Sequence, residues 1–110
     1  MVAPTAGSVV LVPFPFSDLS DSKLRPAVVL AFVDRDDWIL CQVTSKSYSD
    51  PRAVEISDSS FSDGSLHLVS YARPGKLFTA HASLFRREVG ILRQAALDSI
   101  VGAVVSMLRN

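Results

Sequence analysis

The sequence holds one cysteine, Cys41, in 110 residues. An internal disulfide is therefore excluded, and no CxxC or Cys/His spacing for a metal exists. Histidine is scarce as well: there are two, His67 and His81, and neither is matched to a carboxylate by spacing. Charge of one sign is missing. Eleven basic and eleven acidic side chains leave a formal net charge of zero, which removes bulk electrostatics as a route to nucleic acid. Paired carboxylates, a P-loop and a GxSxG element are all absent. So are long hydrophobic runs. The longest apolar stretch, Ile100 to Leu108, is interrupted by Gly102 and Ser106, and a bilayer span needs ~20 residues. No signal-peptide pattern opens the chain. These absences together point to a soluble protein in a reducing cytoplasm, with no membrane role.

What is present is a globular composition, 48% hydrophobic and 20% charged, at a length suited to one domain over residues 1–110. The charge is unevenly laid out. Residues 1–63 carry 9 acids and 5 bases, and residues 64–110 carry 2 acids and 6 bases. An anion site is therefore expected where the fold gathers bases from separate segments.

The hydrophobic pattern is mostly of strand period. Val9 to Val12 is a β-branched run closed by Pro13. Ser17 to Lys23 reads as an exposed loop. Ala27 to Val33 is a continuous apolar run of the kind buried on both faces. Asp34 to Asp37 is a charged turn, and Trp38 to Val43 is the hairpin partner of the run before it. Arg52 to Ile56 alternates weakly. Ser57 to Gly64 reads as a loop, Leu66 to Tyr71 as a strand, Arg73-Pro74-Gly75 as a turn, and Leu77 to Ala82 as a return to the sheet. The period then changes. Leu97, Ile100, Val101, Val104 and Leu108 fall on one side of a helix spanning Gln94 to Arg109. The pattern predicts a mainly β fold with some α: a small barrel or sandwich closed by a C-terminal helix.

Few side chains stand out as chemistry. Arg25, held extended by Pro26, presents a planar, permanently charged fork suited to a phosphate or carboxylate. The alternative is a surface ion pair with Asp18 or Asp21. Thr44, Ser45 and Lys46 close the third strand with two hydroxyls and an ammonium, able to hold a phosphate oxygen or a 2′-hydroxyl, or simply to end a strand. Arg73 and Lys76 flank a basic turn that is either a binding element or solvated. His67 and His81 read as rim or surface residues, and Cys41 as core.

Longer segments carry a resemblance. Gly7-Ser8-Val9-Val10-Leu11-Val12-Pro13-Phe14-Pro15-Phe16-Ser17-Asp18-Leu19-Ser20, then Lys23-Leu24-Arg25-Pro26-Ala27-Val28-Val29-Leu30, resembles the N-terminal signature of PemK/MazF-like toxins. Gln42-Val43-Thr44-Ser45 is similar to the second block of that family, and Ser70-Tyr71-Ala72-Arg73-Pro74-Gly75-Lys76-Leu77 to the third. Val89-Gly90 before the helix fits the tail. The resemblance implies a small SH3-like β-barrel of about 5–7 strands with a C-terminal helix, usually a homodimer. It implies a type II toxin that cuts single-stranded RNA without a metal or other cofactor. The RNA's own 2′-hydroxyl would be the nucleophile, leaving a 2′,3′-cyclic phosphate. On this basis Arg25 and Thr44 are the catalytic pair, and an arginine suits charge stabilisation better than proton transfer. Ser17 and Lys23, in the loop bordering the RNA groove, join Ser45, Lys46, Arg73 and Lys76 as substrate-binding residues. Arg25, Lys46, Arg73 and Lys76 should then converge on one groove. The implied partners are RNA and a cognate antitoxin that folds on binding, with DNA reached only through the antitoxin. Barrels of this type also bind DNA gyrase, so a non-catalytic module binding antitoxin or gyrase is the alternative. The sequence departs from the family pattern at Ser8 and Asp21, where relatives often have Asp and Gly, and at Gly75, where many have Asp.

Overall fold

The computed structural model describes residues 3–15 and 22–110. The predicted loop from Ser17 lies mostly outside them, and Lys23 falls in a strand. Among the described residues the chain forms seven strands and one α-helix: β1 (Ser8–Pro15), β2 (Ser22–Asp34), β3 (Asp37–Thr44), β4 (Val54–Ile56), β5 (Phe61–Gly64), β6 (Ser70–His81), β7 (Arg87–Leu92) and α1 (Gln94–Leu108). The strands make one curled antiparallel sheet in the order β4-β6-β3-β2-β1-β7-β5. The mainly β architecture closed by a C-terminal helix is as the sequence predicts.

Alternation along the central strands explains the core. Val9, Val28, Cys41 and Val43 point to one side, where they meet Ile56, Phe61, Leu92 and the α1 residues Leu97 and Ile100. Val10, Val12, Ala27, Val29 and Leu40 point to the other, against Ala80 and Phe85. Strand side chains alternate between faces, so one apolar run serves two clusters. The run expected to be buried on both faces is so from Ala27 to Val29, but Phe32 and Val33 are about half exposed because the hairpin extends beyond the body. Its tip, Arg35-Asp36, has φ of 51° and 64°, the mirror-image turn that suits strand twist. Ile100 has no exposure, and burying such a side chain fully is worth about 1.5–3 kcal/mol. This anchors α1 to the sheet.

Three expectations need correction. Leu66 to Tyr71 is not a strand; β6 begins only at Ser70. His67 sits at φ 60°, its N–H donates to Ser65 Oγ at 2.8 Å, and Leu68 and Val69 are exposed. Ser57 to Gly64 is not all loop: a 3-10 turn at Asp58–Ser60 leads into β5. That strand has one buried apolar residue, Phe61, and is specified by pairing with β7, which local pattern cannot show. Gly64 closes it at φ +74°, where a side chain would run into the Val89 carbonyl. Arg73-Pro74-Gly75 is not a turn but the interior of β6. Val43 pairs with Ala72 while Cys41 pairs with Leu77, so one residue of β3 faces four of β6. This wide bulge accommodates a proline that has no N–H for the ladder, and Pro74 is fully buried there.

Candidate functional site

Pro26 shapes the site. The β2–β3 ladder ends at Ala27↔Gln42, although β2 starts at Ser22 and β3 runs on to Thr44. A proline cannot donate to a neighbouring strand, so the strands part at the position of Pro26. Each keeps its outer partner: Val12 pairs with Arg25, and Thr44 with Tyr71. The opening is a cleft of about 240 Å³, lined by Leu11, Arg25 and Pro26 on one wall and by Val43, Thr44, Ser45 and Ser70 on the other. Leu66 and Leu68 also line it.

The cleft brings together three of the residues singled out from sequence. Arg25 is exposed at its wall, Thr44 is half-buried, and Ser45 is exposed. Thr44 Oγ1 accepts the Lys46 N–H at 3.3 Å. That bond occupies one acceptor site of the hydroxyl and leaves its proton available for donation. Lys46 is exposed beside it. A guanidinium and two hydroxyls around an open cleft can hold a tetrahedral anion and meet charge that grows on it.

Arg73, Lys76 and Lys23 are not among the described residues that line this cleft. Arg73 Nε lies 3.2 Å from Asp50 Oδ2, with both side chains mostly buried, and its guanidinium carbon is 5.1 Å from the Tyr48 ring centroid. Lys76 is exposed next to Gly75, where a Cβ would sit 3.8 Å from Met107 Sδ of α1. Of Arg25, Lys46, Arg73 and Lys76, Arg25 is the one among the residues lining this cleft. Lys23 is exposed on β2 opposite Phe14, and Ser17 is outside the described residues. The wide bulge accounts for Arg73: it offsets β6 between Ala72 and Leu77 and leaves Arg73 beside the β3–β4 connection.

Asp50 and Tyr48 were not foreseen. Asp50 organises the β3–β4 connection. Its carboxylate accepts the Arg52 N–H at 2.9 Å, and this bond, followed by the contact with Arg73, holds its pKa below the ordinary 3.8 against the opposing effect of burial. An Asp followed by Pro51 is a turn signal, but nothing local shows that its partner is Arg73. Cys41 is core, as expected. Burial pushes its thiol up to about 11, and Sγ donates to the Arg73 carbonyl at 3.1 Å.

A larger hollow of about 480 Å³ is lined by Gly64, Ser65, Leu66, His67, Arg87 and Val89. Its Ser65 hydroxyl is already bonded to Asp58 and to the His67 N–H, so it offers less than the Arg25 cleft. Among the described residues no group of three His, Cys, Asp or Glu could hold a metal ion. No helix among them is long and apolar enough to cross a membrane.

Comparison with known proteins gives a consistent picture. The model of the family described as PemK-like, MazF-like toxin of type II toxin-antitoxin system matches residues 5–108. No curated protein matches the sequence. A MazE-MazF crystal structure from Deinococcus radiodurans is similar at a TM-score of 0.77 and 19% identity, over 99% of this chain and 98% of that one. An endoribonuclease in complex with its cognate antitoxin, from a mycobacterial species, is similar at 0.73 and 18%, over 99% and 96%. The Mycobacterium tuberculosis toxin MazF-mt6 is similar at 0.72 and 14%, over 93% and 96%. At these identities the likeness is one of fold.

Proposed function

The chain belongs to the PemK-like, MazF-like toxins of type II toxin–antitoxin systems, and from that premise we propose that it is an endoribonuclease cutting single-stranded RNA in the cleft between β2 and β3. The observation that carries this reading is the meeting of Arg25, Thr44 and Ser45 at one opening, where Pro26 ends the ladder.

The chemistry fits what the cleft holds. The 2′-oxygen of one nucleotide bonds to the adjacent phosphorus, and the bond from phosphorus to the 5′-oxygen breaks. The products are a 2′,3′-cyclic phosphate and a 5′-hydroxyl. One proton leaves the 2′-hydroxyl and one is gained by the 5′-oxygen, so no co-reactant is consumed. Arg25 opposes the negative charge that builds on the phosphorane oxygens, and the Thr44 hydroxyl donates to one of them. The described residues lining the cleft include no histidine or carboxylate. Lys46 and Ser45 hold the neighbouring backbone.

The same reading gives the protein a cytoplasmic setting, a cognate antitoxin as partner and a homodimeric state. Val101, Val105 and Leu108 form an exposed apolar stripe on α1, at 39%, 42% and 70% exposure, and a second copy is the occupant proposed for it. The test of activity is cleavage of end-labelled single-stranded RNA in EDTA. Cyclic-phosphate ends, and loss of cutting by about 10²–10³-fold in a folded Arg25→Ala variant, are expected. Intact RNA together with capture of a gyrase subunit would replace this reading with the non-catalytic one.

A further inference from the structure

The connection between β3 and β4 holds a tyrosine in an unusual way. Tyr48 and the following Ser49 have φ of 53° and 55°, a left-handed conformation that non-glycine residues rarely adopt. The surroundings enforce it. The Asp50 N–H donates to the Ser47 carbonyl at 3.0 Å, and the Ala53 N–H to the Asp50 carbonyl at 3.1 Å. The two Asp50 carboxylate oxygens are divided between the Arg52 N–H at 2.9 Å and Arg73 Nε at 3.2 Å. Asp50 and Arg73 expose only 15% and 22% of their side chains, yet the tyrosine that they support is 62% exposed.

The guanidinium lies 5.1 Å from the centre of the Tyr48 ring. It occupies one face of the ring, and the large remaining exposure belongs to the rest. A tyrosine serving the core would be buried. This one is an aromatic plate, backed by a cation and fixed by a partly buried ion pair, offered to solvent three residues after Ser45. A three-residue separation keeps the Tyr48 Cα within ~11 Å of the Cα of Ser45, which lines the cleft. That is the reach of a neighbouring nucleotide on a strand whose phosphate sits at Arg25 and Thr44. Aromatic side chains near a cationic groove serve unstacked bases in this way.

We propose that Tyr48 is a stacking platform for the nucleobase next to the phosphate held at Arg25 and Thr44, with Arg73 and Asp50 as the residues that position it. The inference rests on the RNA-cleaving reading above and adds a substrate contact to it. It also gives Arg73 a different task from binding phosphate. Its charge is matched by Asp50, and its planar group stiffens the ring from behind. Because the ring is held in place before substrate arrives, little ordering entropy is lost on stacking.

The test uses a 2′-O-methyl RNA oligonucleotide whose sequence spans a site that wild type cuts in the end-labelled assay above. It lacks the attacking hydroxyl and reports binding alone. A matched series carries one abasic nucleotide at successive positions. Wild-type protein should lose about 5- to 100-fold in affinity at one abasic position beside the cleavage site. Tyr48→Ala should bind the intact oligonucleotide more weakly by a similar factor and be insensitive to that abasic substitution. Tyr48→Phe should restore the wild-type profile. In cleavage of ordinary RNA, Asp50→Ala should raise KM more than it lowers kcat. An abasic profile in Tyr48→Ala identical to wild type would overturn the platform, while loss of cutting in Arg25→Ala would leave the nuclease reading standing. Weakened antitoxin binding with RNA binding unchanged would assign Tyr48 to the protein partner and overturn the proposal too. Wild-type protein that neither cuts nor binds RNA would overturn both readings.

Discussion

Ser8 Oγ donates a 2.9 Å hydrogen bond to Glu88 Oε2, joining residues 80 positions apart. Ser8 has no exposure, and its oxygen also accepts the Thr5 N–H at 3.1 Å. The bond ties the start of β1 to β7 beside the bulge where their register shifts. An Asp in place of Ser8 would set a second carboxylate against Glu88 without a proton to donate. Ser8→Asp should therefore destabilise the fold more than Ser8→Ala, by an additional amount on the order of 1–3 kcal/mol at neutral pH. Urea unfolding of the two variants measures it. Equal stability of the two variants at pH 7 would contradict the account.

The Asp50–Arg73 pair predicts an acid sensitivity. A carboxylate whose pKa is lowered in the folded state stabilises the fold above its ordinary value, here 3.8, and that contribution is lost as pH falls through the lowered value. Asp50→Asn should be less stable than wild type at neutral pH, and the two unfolding curves should converge in acid below about pH 4. A constant difference across the acid range would show that the carboxylate charge is not what matters.

Much of this was legible in the sequence, and the misses share a cause. The β2–β3 hairpin, the two-faced run at Ala27 to Val29 and the helix from Gln94 follow from local period. Arg25, Thr44 and Ser45 do line one cleft, but local sequence left each with a plain structural alternative, and the family resemblance is what singled them out together. Strand β5 and the β6 bulge were not legible, because both depend on a partner far along the chain. Phe61 alone is too little pattern to announce a strand, and Pro74-Gly75 has the composition of a turn whether or not a neighbour accommodates it. The partner of Arg73 was hidden for the same reason, since Asp50 lies 23 residues away.

Cys41 should be inert in the native protein. Its thiol is buried and raised to about 11, and the thiolate is the reactive form. Iodoacetamide at pH 8 should label it far more slowly than in urea-unfolded chain. Because the folded pKa is the higher one, its contribution to stability is full below the ordinary thiol value of 9.0 and is lost as pH rises through about 11. Labelling of native protein at the unfolded rate would contradict the core assignment.

The apolar stripe on α1 predicts the response to a charge. Val105 is 42% exposed, so Val105→Lys should be tolerated in the monomer fold, and surface substitutions of this kind usually change stability by within about 0.5 kcal/mol. Buried in a self-complementary interface, the same lysine would be strongly unfavourable. Light scattering at micromolar concentration should give a dimer for wild type and a monomer for the variant. A monomeric wild type, or a dimeric Val105→Lys, would place the second copy elsewhere or nowhere.

The most direct test of the central claim is RNA cleavage by wild type and Arg25→Ala, side by side in EDTA, with the 3′ ends of the products identified. The account predicts that wild type leaves 2′,3′-cyclic phosphates, and that the variant keeps its thermal transition while cutting is reduced by about 10²–10³-fold. Undiminished cutting by a folded Arg25→Ala protein would contradict it.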